Sequence, residues 1–399
     1  MNATTGADNP TVNSLLENAK QIGPIIRQYA AEAERERRLS RPVVDAMVRT
    51  GLYGMARPRA FGGAEADPVS MFRVVEEVAR HDSAAGWNLQ ISLAVHSFLA
   101  WLPDEGAAEI LNDGPPAILG ASFSPGPPAI AVEGGYRVSG QYPFVSGVHD
   151  CHWLMFRLQV SDGHTLSVDD HGTPRHWFMF LPADKAKILD TWNPLGMRGT
   201  GSHDVLLEDV FVPERHTALM APLQRAGKAF QGPLYALTVW VPIGLLAPPS
   251  LGVARAAVSR LIELARAKTP SFTTSSLARR QVVQRQVAEA EATLGAARAY
   301  LFETFRENWL AATARQPITE ARKVTMQLAT SHALACAAKA VDLVHAAAGT
   351  SAIHHENPFQ QHFRDVHTMT QHAFASESRY ESAGALILGA ASDWGFFAL

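Results

Sequence analysis

The spacing of apolar residues changes twice along this chain, and these two changes constrain the fold more than any other feature of the sequence. Up to about residue 115, apolar residues recur every three or four positions, as on one face of an α-helix. From about residue 117 the apolar runs are short and are separated by turn residues, which is typical of β-strands. From Leu234 onward the helical spacing returns and alanine becomes abundant. The order predicts an α+β fold with an N-terminal helical domain over 12–116, a central β domain over 117–225 and a C-terminal four-helix bundle over 226–399.

Local signals predict the elements inside these domains. Asp67 before Pro68 indicates the start of a helix, because aspartate caps a helix and proline suits its first turn. The stretch 83–101 is apolar on nearly every side, which predicts a helix buried inside the protein. The predicted strands are 129–132, 136–138, 153–160, 177–181 and 205–212.

Charge and cysteine content argue against several kinds of partner. Lysine and arginine number 35 against 38 aspartates and glutamates, so the formal net charge is −3 and no basic surface for nucleic acid is expected. The two cysteines, Cys151 and Cys336, are far apart and form no disulfide framework or paired metal motif. The segment 149–152 contains two histidines but no second pair of ligands follows at metal-binding spacing, so we expect no metal site.

The sequence carries no clear signal for a membrane or for export. The first ten residues are polar and lack the basic and then apolar order of a signal peptide. The longest apolar stretch, 234–251, contains three prolines and a glycine, which makes it a poor membrane span. We therefore expect a cytoplasmic protein that does not bind membranes.

Several short motifs occur in an order that resembles the acyl-CoA dehydrogenase superfamily. They lie at 58–63, 135–140, 144–147, 195–202, 209–213, 346–349 and 363–365. The segment 195–202, with the sequence Leu-Gly-Met-Arg-Gly-Thr-Gly-Ser, is the most specific of them. The resemblance covers roughly residues 15–385 and implies the three-domain fold, a flavin cofactor and a homotetramer.

The acid that dehydrogenases of this superfamily need is missing from its usual position. Those enzymes use a carboxylate to remove the α-proton of a thioester. In most of them it lies nine residues after the arginine of an Arg-Asp pair, a position that Ala373 occupies here. A minority carry the acid in an earlier helix, but no aspartate or glutamate occurs between Glu214 and Glu263. Glu377 is the only plausible substitute, whereas the segment 364–372 resembles the two-component flavin-dependent monooxygenases.

That branch acts on hydroxyphenylacetate, steroid phenols, indole and dibenzothiophene. The resemblance implies an oxygenase component that receives reduced FMN or FAD from a separate flavin reductase. The reduced flavin reacts with O2 to form a C4a-hydroperoxyflavin, which passes one oxygen atom to an aromatic or heteroaromatic small molecule. No GxGxxG motif follows a predicted strand, so no nicotinamide-binding domain is expected and an external reductase is needed. Two alternatives stay open: an acyl-CoA dehydrogenase with Glu377 as its base, and a non-catalytic flavin-fold protein that only binds a partner.

Three residues are candidates for catalysis. His372 could act as a general base on a phenol or an N–H group, or could hydrogen-bond the peroxide, because imidazole titrates near neutral pH. His96 lies in an apolar helix and could bind or deprotonate the substrate; the alternative is a core histidine bonded to a backbone carbonyl. Ser146 matches the hydroxyl that the family places beside flavin N5, where it would donate a hydrogen bond.

The resemblance also implies further contacts to flavin and substrate. The flavin-binding candidates beside Ser146 are Ser122, Ser124, Arg198 and Arg279. The substrate-pocket candidates are Trp192, Asn193 and His367. Except for His367, each has a structural alternative: turn serines before Pro125, packing at the edge of the β domain, a solvated helix face, or an ion pair between Arg198 and a nearby acid such as Asp204. His367 is five residues from His372, not on the same helical face, and is expected behind the residues that contact the substrate.

Overall fold

The structure is a computed structural model that describes residues 12–112, 114, 116–223 and 226–399. The N-terminal segment 1–10, Pro115 and residue 225, on which predictions were made, lie outside the described residues. The predicted order of a helical domain, a β domain and a second helical domain is confirmed. The boundaries between the domains stay predictions.

The N-terminal domain is helical, and its last long helix lies at the centre of the molecule. Its helices are α1 (Val12–Glu36), α2 (Arg41–Arg49), α3 (Pro68–His81), α4 (Ser83–Phe98) and α5 (Asp104–Asn112). The Asp67 carboxylate accepts a hydrogen bond from the Ser70 N–H at 3.0 Å, which caps α3 as the sequence predicts. Every residue of α4 except Ile91 is buried, because this helix packs against elements of all three domains.

The central domain is an eight-stranded sheet. Its strands are β1 (Leu119–Ser122), β2 (Ala129–Val132), β3 (Gly135–Val145), β4 (Trp153–Ser161), β5 (His176–Pro182), β6 (Lys187–Leu189), β7 (His203–Pro213) and β8 (Thr217–Leu219). The strands follow the order β6-β7-β3-β2-β4-β5-β8, and β1 pairs with β4. In the antiparallel β3–β7 pair, Val145 lies opposite His203, so Ser146 and Ser202 come next to each other just beyond the pair.

The C-terminal domain is a helical bundle built on three long helices. Its helices are α6 (Pro233–Ala236), α7 (Trp240–Gly244), α8 (Ala247–Ala267), α9 (Gln281–Thr313), α10 (Glu320–Ala348), α11 (Phe359–Met369) and α12 (Ser378–Ile387). The helices α8, α9 and α10 pack together, and the short helices α11 and α12 pack on α10. Helix α8 also packs against α3, so the two helical domains share one apolar core.

One stretch, Trp240–Ala267, is long and apolar enough to cross a membrane by length and composition alone. In the folded chain 89% of its most apolar window is buried inside the protein. A core helix of a folded domain passes the same test, so this stretch is weak support for a membrane span.

Candidate active site

A cavity of about 510 Å³ lies where the three domains meet. Helix α4 supplies one wall, and the ends of β1 and β3 with the segment just before β7 supply a second. Helix α7, the end of α11 and the segment after α11 supply most of the rest. Most of the lining is apolar. The polar side chains in the wall are those of Gln90, Ser124, Ser146, Thr200, Ser202, Thr368, Gln371 and His372, together with the indole N–H groups of Trp87 and Trp192.

A chain of hydrogen bonds runs through the hydroxyl groups of this wall. The Trp87 Nε1–H donates to the Ser146 Oγ at 3.1 Å, and this Oγ lies 2.7 Å from the Ser202 Oγ. The Ser202 Oγ lies 2.7 Å from the Thr200 Oγ1, which donates to the Met197 carbonyl at 2.8 Å. A carbonyl can only accept, so Thr200 is the donor at that end, and the direction of the two hydroxyl–hydroxyl bonds follows from it.

This direction decides what Ser146 can offer the cavity. Thr200 gives its proton to Met197, so the proton in the Thr200–Ser202 bond comes from Ser202. The proton in the Ser146–Ser202 bond then comes from Ser146, which has no hydrogen left to donate. In this arrangement Ser146 faces the cavity with a free acceptor lone pair, and its hydrogen bond to flavin N5 stays a prediction.

His372 lies just after α11 and is half-buried in the cavity wall. Its ring packs edge-on against the Trp87 indole, with the ring centroids 5.5 Å apart. Burial lowers the pKa of the imidazole to about 4, so the ring is neutral at physiological pH. Its Nδ1 accepts a hydrogen bond from the Phe374 N–H at 3.4 Å, which places the proton of the neutral ring on Nε2. In this state His372 offers an N–H donor.

The backbone beside His372 is fixed by a residue that the sequence analysis did not single out. Gln327 is buried on α10, and its Nε2 donates to the Phe374 carbonyl at 2.9 Å. This bond holds the segment 372–374 against the bundle. In the sequence, Gln327 is visible as a glutamine within an alanine-rich helix. Its partner Phe374 lies 47 residues away, and the periodicity of the helix does not predict that contact.

Gln90 is a second polar residue that the sequence analysis missed. Gln90 belongs to the part of the cavity wall that α4 supplies, and the residue has no exposed surface. Neither its Oε1 nor its Nε2 has a hydrogen-bond partner in the structure. In the sequence, the feature that could have indicated this residue is a glutamine in the middle of the most apolar of the described helices.

Two of the other predicted residues line the cavity, and a third is buried next to it. Ser124 and Trp192 lie in the cavity wall with Ser146 and His372. His96 is buried behind the wall, and its Nδ1 donates to the Ser92 carbonyl at 2.7 Å. The bond to a backbone carbonyl matches the alternative interpretation of His96 as a core histidine, and burial lowers its pKa to about 4.

The remaining predicted residues lie outside the cavity wall. The Ser122 Oγ donates to the Pro143 carbonyl at 2.7 Å, and the His367 Nε2 lies 2.8 Å from an Asp342 carboxylate oxygen. Arg279 is exposed. The structure does not bring these three residues to the cavity, and their contacts to flavin or substrate stay predictions.

Arg198 and Asn193 contact each other outside the wall. The Arg198 Nη1 donates to the Asn193 Oδ1 at 2.8 Å, and the Arg198 Nε lies 3.8 Å from a Glu34 carboxylate oxygen. The acid beside Arg198 is thus Glu34, whereas Asp204 accepts from Gln141. A contact of either residue to flavin or substrate stays a prediction.

No aspartate or glutamate belongs to the part of the wall that the structure describes. Ala373 occupies the position of the dehydrogenase base and does line the cavity. Glu377, the substitute base, is exposed at the start of α12 and lies outside the wall.

Asp365 ties the three domains together next to the cavity. This buried carboxylate on α11 accepts from the Ser83 hydroxyl at 2.6 Å and from the Met197 N–H at 2.6 Å. Burial raises its pKa to about 6. The neighbouring Arg364 pairs with Glu34 of α1 at 2.9 Å. The Arg-Asp pair therefore holds α1, α4, the loop 195–202 and α11 in one arrangement.

Comparison with known proteins identifies both helical domains. The family model "Acyl-CoA dehydrogenase, N-terminal domain" matches residues 19–112, and "Acyl-CoA dehydrogenase, C-terminal domain" matches residues 245–377. The indole-3-acetate monooxygenase of Pseudomonas putida is 30% identical, over 97% of this chain and 95% of that protein. The oxygenase component of the FADH2-dependent resorcinol hydroxylase of a Rhizobium species is 26% identical, over 88% of each chain.

A solved structure shows the same fold. XiaF from a Streptomyces species, in complex with FADH2 and glycerol, superposes with a TM-score of 0.87 over 96% of both chains. The sequence identity in that comparison is 24%, so the likeness supports the fold alone.

Proposed function

We propose that this chain, which belongs to the acyl-CoA dehydrogenase family and, within it, to the flavin-dependent monooxygenases, is the oxygenase component of a two-component system that oxidises an aromatic or heteroaromatic small molecule. One observation carries the proposal. The described cavity wall holds an imidazole and hydroxyl groups but no carboxylate, so it cannot remove a thioester α-proton as a dehydrogenase does.

The residues of the wall fit a reduced flavin. Phe144 lines the cavity at its edge with 62% of its surface exposed, and the Trp192 ring stands edge-on to it at 6.2 Å. A flat ring system would cover this apolar surface. Reduced flavin carries a hydrogen on N5, whereas oxidised flavin has a lone pair there. Ser146 offers an acceptor, so it suits the reduced form.

Bound reduced flavin would supply two electrons and the activation of O2, and the protein would supply position and a dry environment. The apolar wall excludes water from the reacting atoms. His372 presents its Nε2–H to the cavity and would orient the oxygen-bearing group or the substrate. The overall reaction balances when one oxygen atom enters the substrate and the other leaves as water.

The finer features of the system are part of the same proposal. Reduced flavin would come from a separate flavin reductase, and FADH2 is the form to test first because a relative's name specifies it. FMNH2 is the alternative. We further propose a cytoplasmic homotetramer; exposed apolar residues on the C-terminal helices, such as Ile387 and Leu388, support an assembly.

The test supplies the purified chain with a flavin reductase, FAD and 18O2, and offers indole and resorcinol as first substrates. A monooxygenase incorporates one 18O atom into the product, which mass spectrometry detects. A dehydrogenase would instead purify with tightly bound FAD and lose its yellow colour on addition of an acyl-CoA. A purely binding protein would do neither, and either result overturns the proposal.

A further inference from the structure

We propose that the cavity selects an aromatic substrate without a charge, and that the side-chain amide of Gln90 binds the polar group of that substrate. This inference rests on the proposed function, since it names the class of molecule that the same site takes. Two independent observations support it. The described wall of the cavity contains no charged side chain, and the side-chain amide of Gln90 has no hydrogen-bond partner.

The described wall contains no lysine, arginine, aspartate or glutamate. His372 is its single titratable residue, again among the described residues, and its ring is neutral near pH 7. A carboxylate that entered this cavity would give up its water without meeting a cation, and that loss is costly in an apolar site. An uncharged molecule of the same shape loses far less.

Gln90 provides the polar contact. The residue is fully buried within the cavity wall, yet both its Oε1 and its Nε2 lack a partner. A buried amide without hydrogen bonds destabilises the fold, because the chain has given up two bonds to water. Among the described residues the other buried glutamine is Gln327, whose Nε2 donates to the Phe374 carbonyl, so that only its Oε1 lacks a partner. Gln90 has no such bond in the folded chain.

An amide carries a donor and an acceptor side by side, and this defines the group that it can bind. A hydroxyl group or a carboxamide on the substrate offers both functions and satisfies Gln90 without carrying a charge. A carboxylate can only accept, so it leaves the Gln90 Oε1 facing another oxygen. The geometry therefore favours aromatic rings that bear a hydroxyl or a carboxamide.

The first experiment measures binding in the absence of oxygen. The full chain is loaded with reduced flavin under anaerobic conditions, and isothermal titration calorimetry compares indole-3-acetamide with indole-3-acetate near pH 7. The two probes have nearly the same shape and differ in charge. We expect the acetamide to bind at least about tenfold more tightly. Equal or tighter binding of the acetate, or no binding of the acetamide, overturns the inference.

The second experiment replaces Gln90 with leucine, which is similar in size. Gln90→Leu should weaken acetamide binding at least about tenfold and leave acetate binding nearly unchanged. Because the amide has no partner inside the protein, the melting temperature of the variant should stay the same or rise. Gln21→Leu, at an exposed position on α1, is the matched control and should change neither quantity.

Two results would count against Gln90 in this role. Unchanged acetamide binding by Gln90→Leu means that the amide does not touch the ligand, and a clear fall in melting temperature means that the amide is structural. Neither measurement uses oxygen. The 18O experiment can therefore fail, and overturn the proposed function, while the preference for a neutral ligand stands or falls separately.

Discussion

At the scale of single residues, the positions of the hydrogens decide which groups of the site can donate a hydrogen bond and which can accept one. Ser146, Ser202 and Thr200 are each ordinary hydroxyls, but an indole N–H at one end and a carbonyl at the other make their chain point one way. His372 is likewise restricted to one tautomer by a backbone N–H. Sequence can name such residues, whereas the direction of their hydrogen bonds appears only when the neighbours are in place.

Removing the Ser146 hydroxyl tests the direction of the chain. Ser146→Ala should weaken the binding of reduced flavin by about tenfold and that of oxidised flavin much less, because only the reduced form has a hydrogen on N5 to donate. Anaerobic fluorescence titration with each redox form measures both affinities. Ser124→Ala removes a hydroxyl from the same wall without breaking the chain, and should not show the same redox preference. An equal loss for both forms would contradict the assigned direction.

Substitution of His372 distinguishes a donor from a base. His372→Gln keeps an N–H group, whereas His372→Leu does not, so we expect the glutamine variant to keep about tenfold more single-turnover product than the leucine variant. Equally low activity of the two variants would indicate that His372 acts as a base.

The pH profile gives an independent check on His372. Its pKa lies at about 4 rather than at 6.5, so the ring stays neutral as the pH falls through 6.5 and becomes charged only near pH 4. Product yield per turnover should therefore be flat from about pH 9 to about pH 5 and should fall below that. A decrease centred near pH 6.5 would show that the imidazole is not desolvated.

At the scale of elements, strands β4, β5 and β7 and the apolar central helix could be predicted, and the contacts between them could not. Alternating apolar residues predict a strand over 205–212, and the structure has β7 over His203–Pro213. Only 136–138 of β3 could be predicted, since glycine, serine and glutamine interrupt the alternation. The missing half of β3 sets the register that brings Ser146 to Ser202. The residues behind the wall, such as His96, were assigned to the site because a helical pattern alone does not give the rotation of a buried helix.

Asp365 allows a test at the scale of the elements that it joins. Asp365→Ala leaves the Ser83 hydroxyl and the Met197 N–H without their partner and should lower the free energy of unfolding by about 3 kcal/mol. Urea unfolding near pH 7 measures the change. A loss below about 0.5 kcal/mol would mean that the domains are held together by other contacts.

Asp365→Asn is the matched variant, and its effect should depend on pH. Burial raises the pKa of Asp365 from 3.8 to about 6, so the folded state binds more protons than the unfolded state in that range. The wild type therefore loses stability as the pH rises from about 4 to above 6, whereas the asparagine variant has no such loss. The free energy of unfolding of the wild type, minus that of the asparagine variant, should therefore fall over this range.

At the scale of the whole molecule, the three-domain order was predictable because the spacing of apolar residues changes at each passage from one domain to the next. The assembly of several chains was an expectation from the resemblance, and it leads to a prediction. Ile387 and Leu388 at the end of α12 are 65% and 87% exposed. Ile387→Glu with Leu388→Glu should shift the mass measured by light scattering from four times 43.2 kDa toward a smaller species. Val132→Glu, at an exposed apolar position in the β domain, is the control and should keep the larger mass.

Because the walls of the cavity come from all three domains, the site does not exist until the last helices of the chain have folded. A ribosome-bound fragment that ends before α11 has α4 and the sheet but lacks His372 and the Asp365 contacts. Such a fragment lacks one side of the cavity wall, so the remaining wall residues would be open to water. We therefore expect a closed flavin cavity only once α11 and the segment after it have packed on the other two domains.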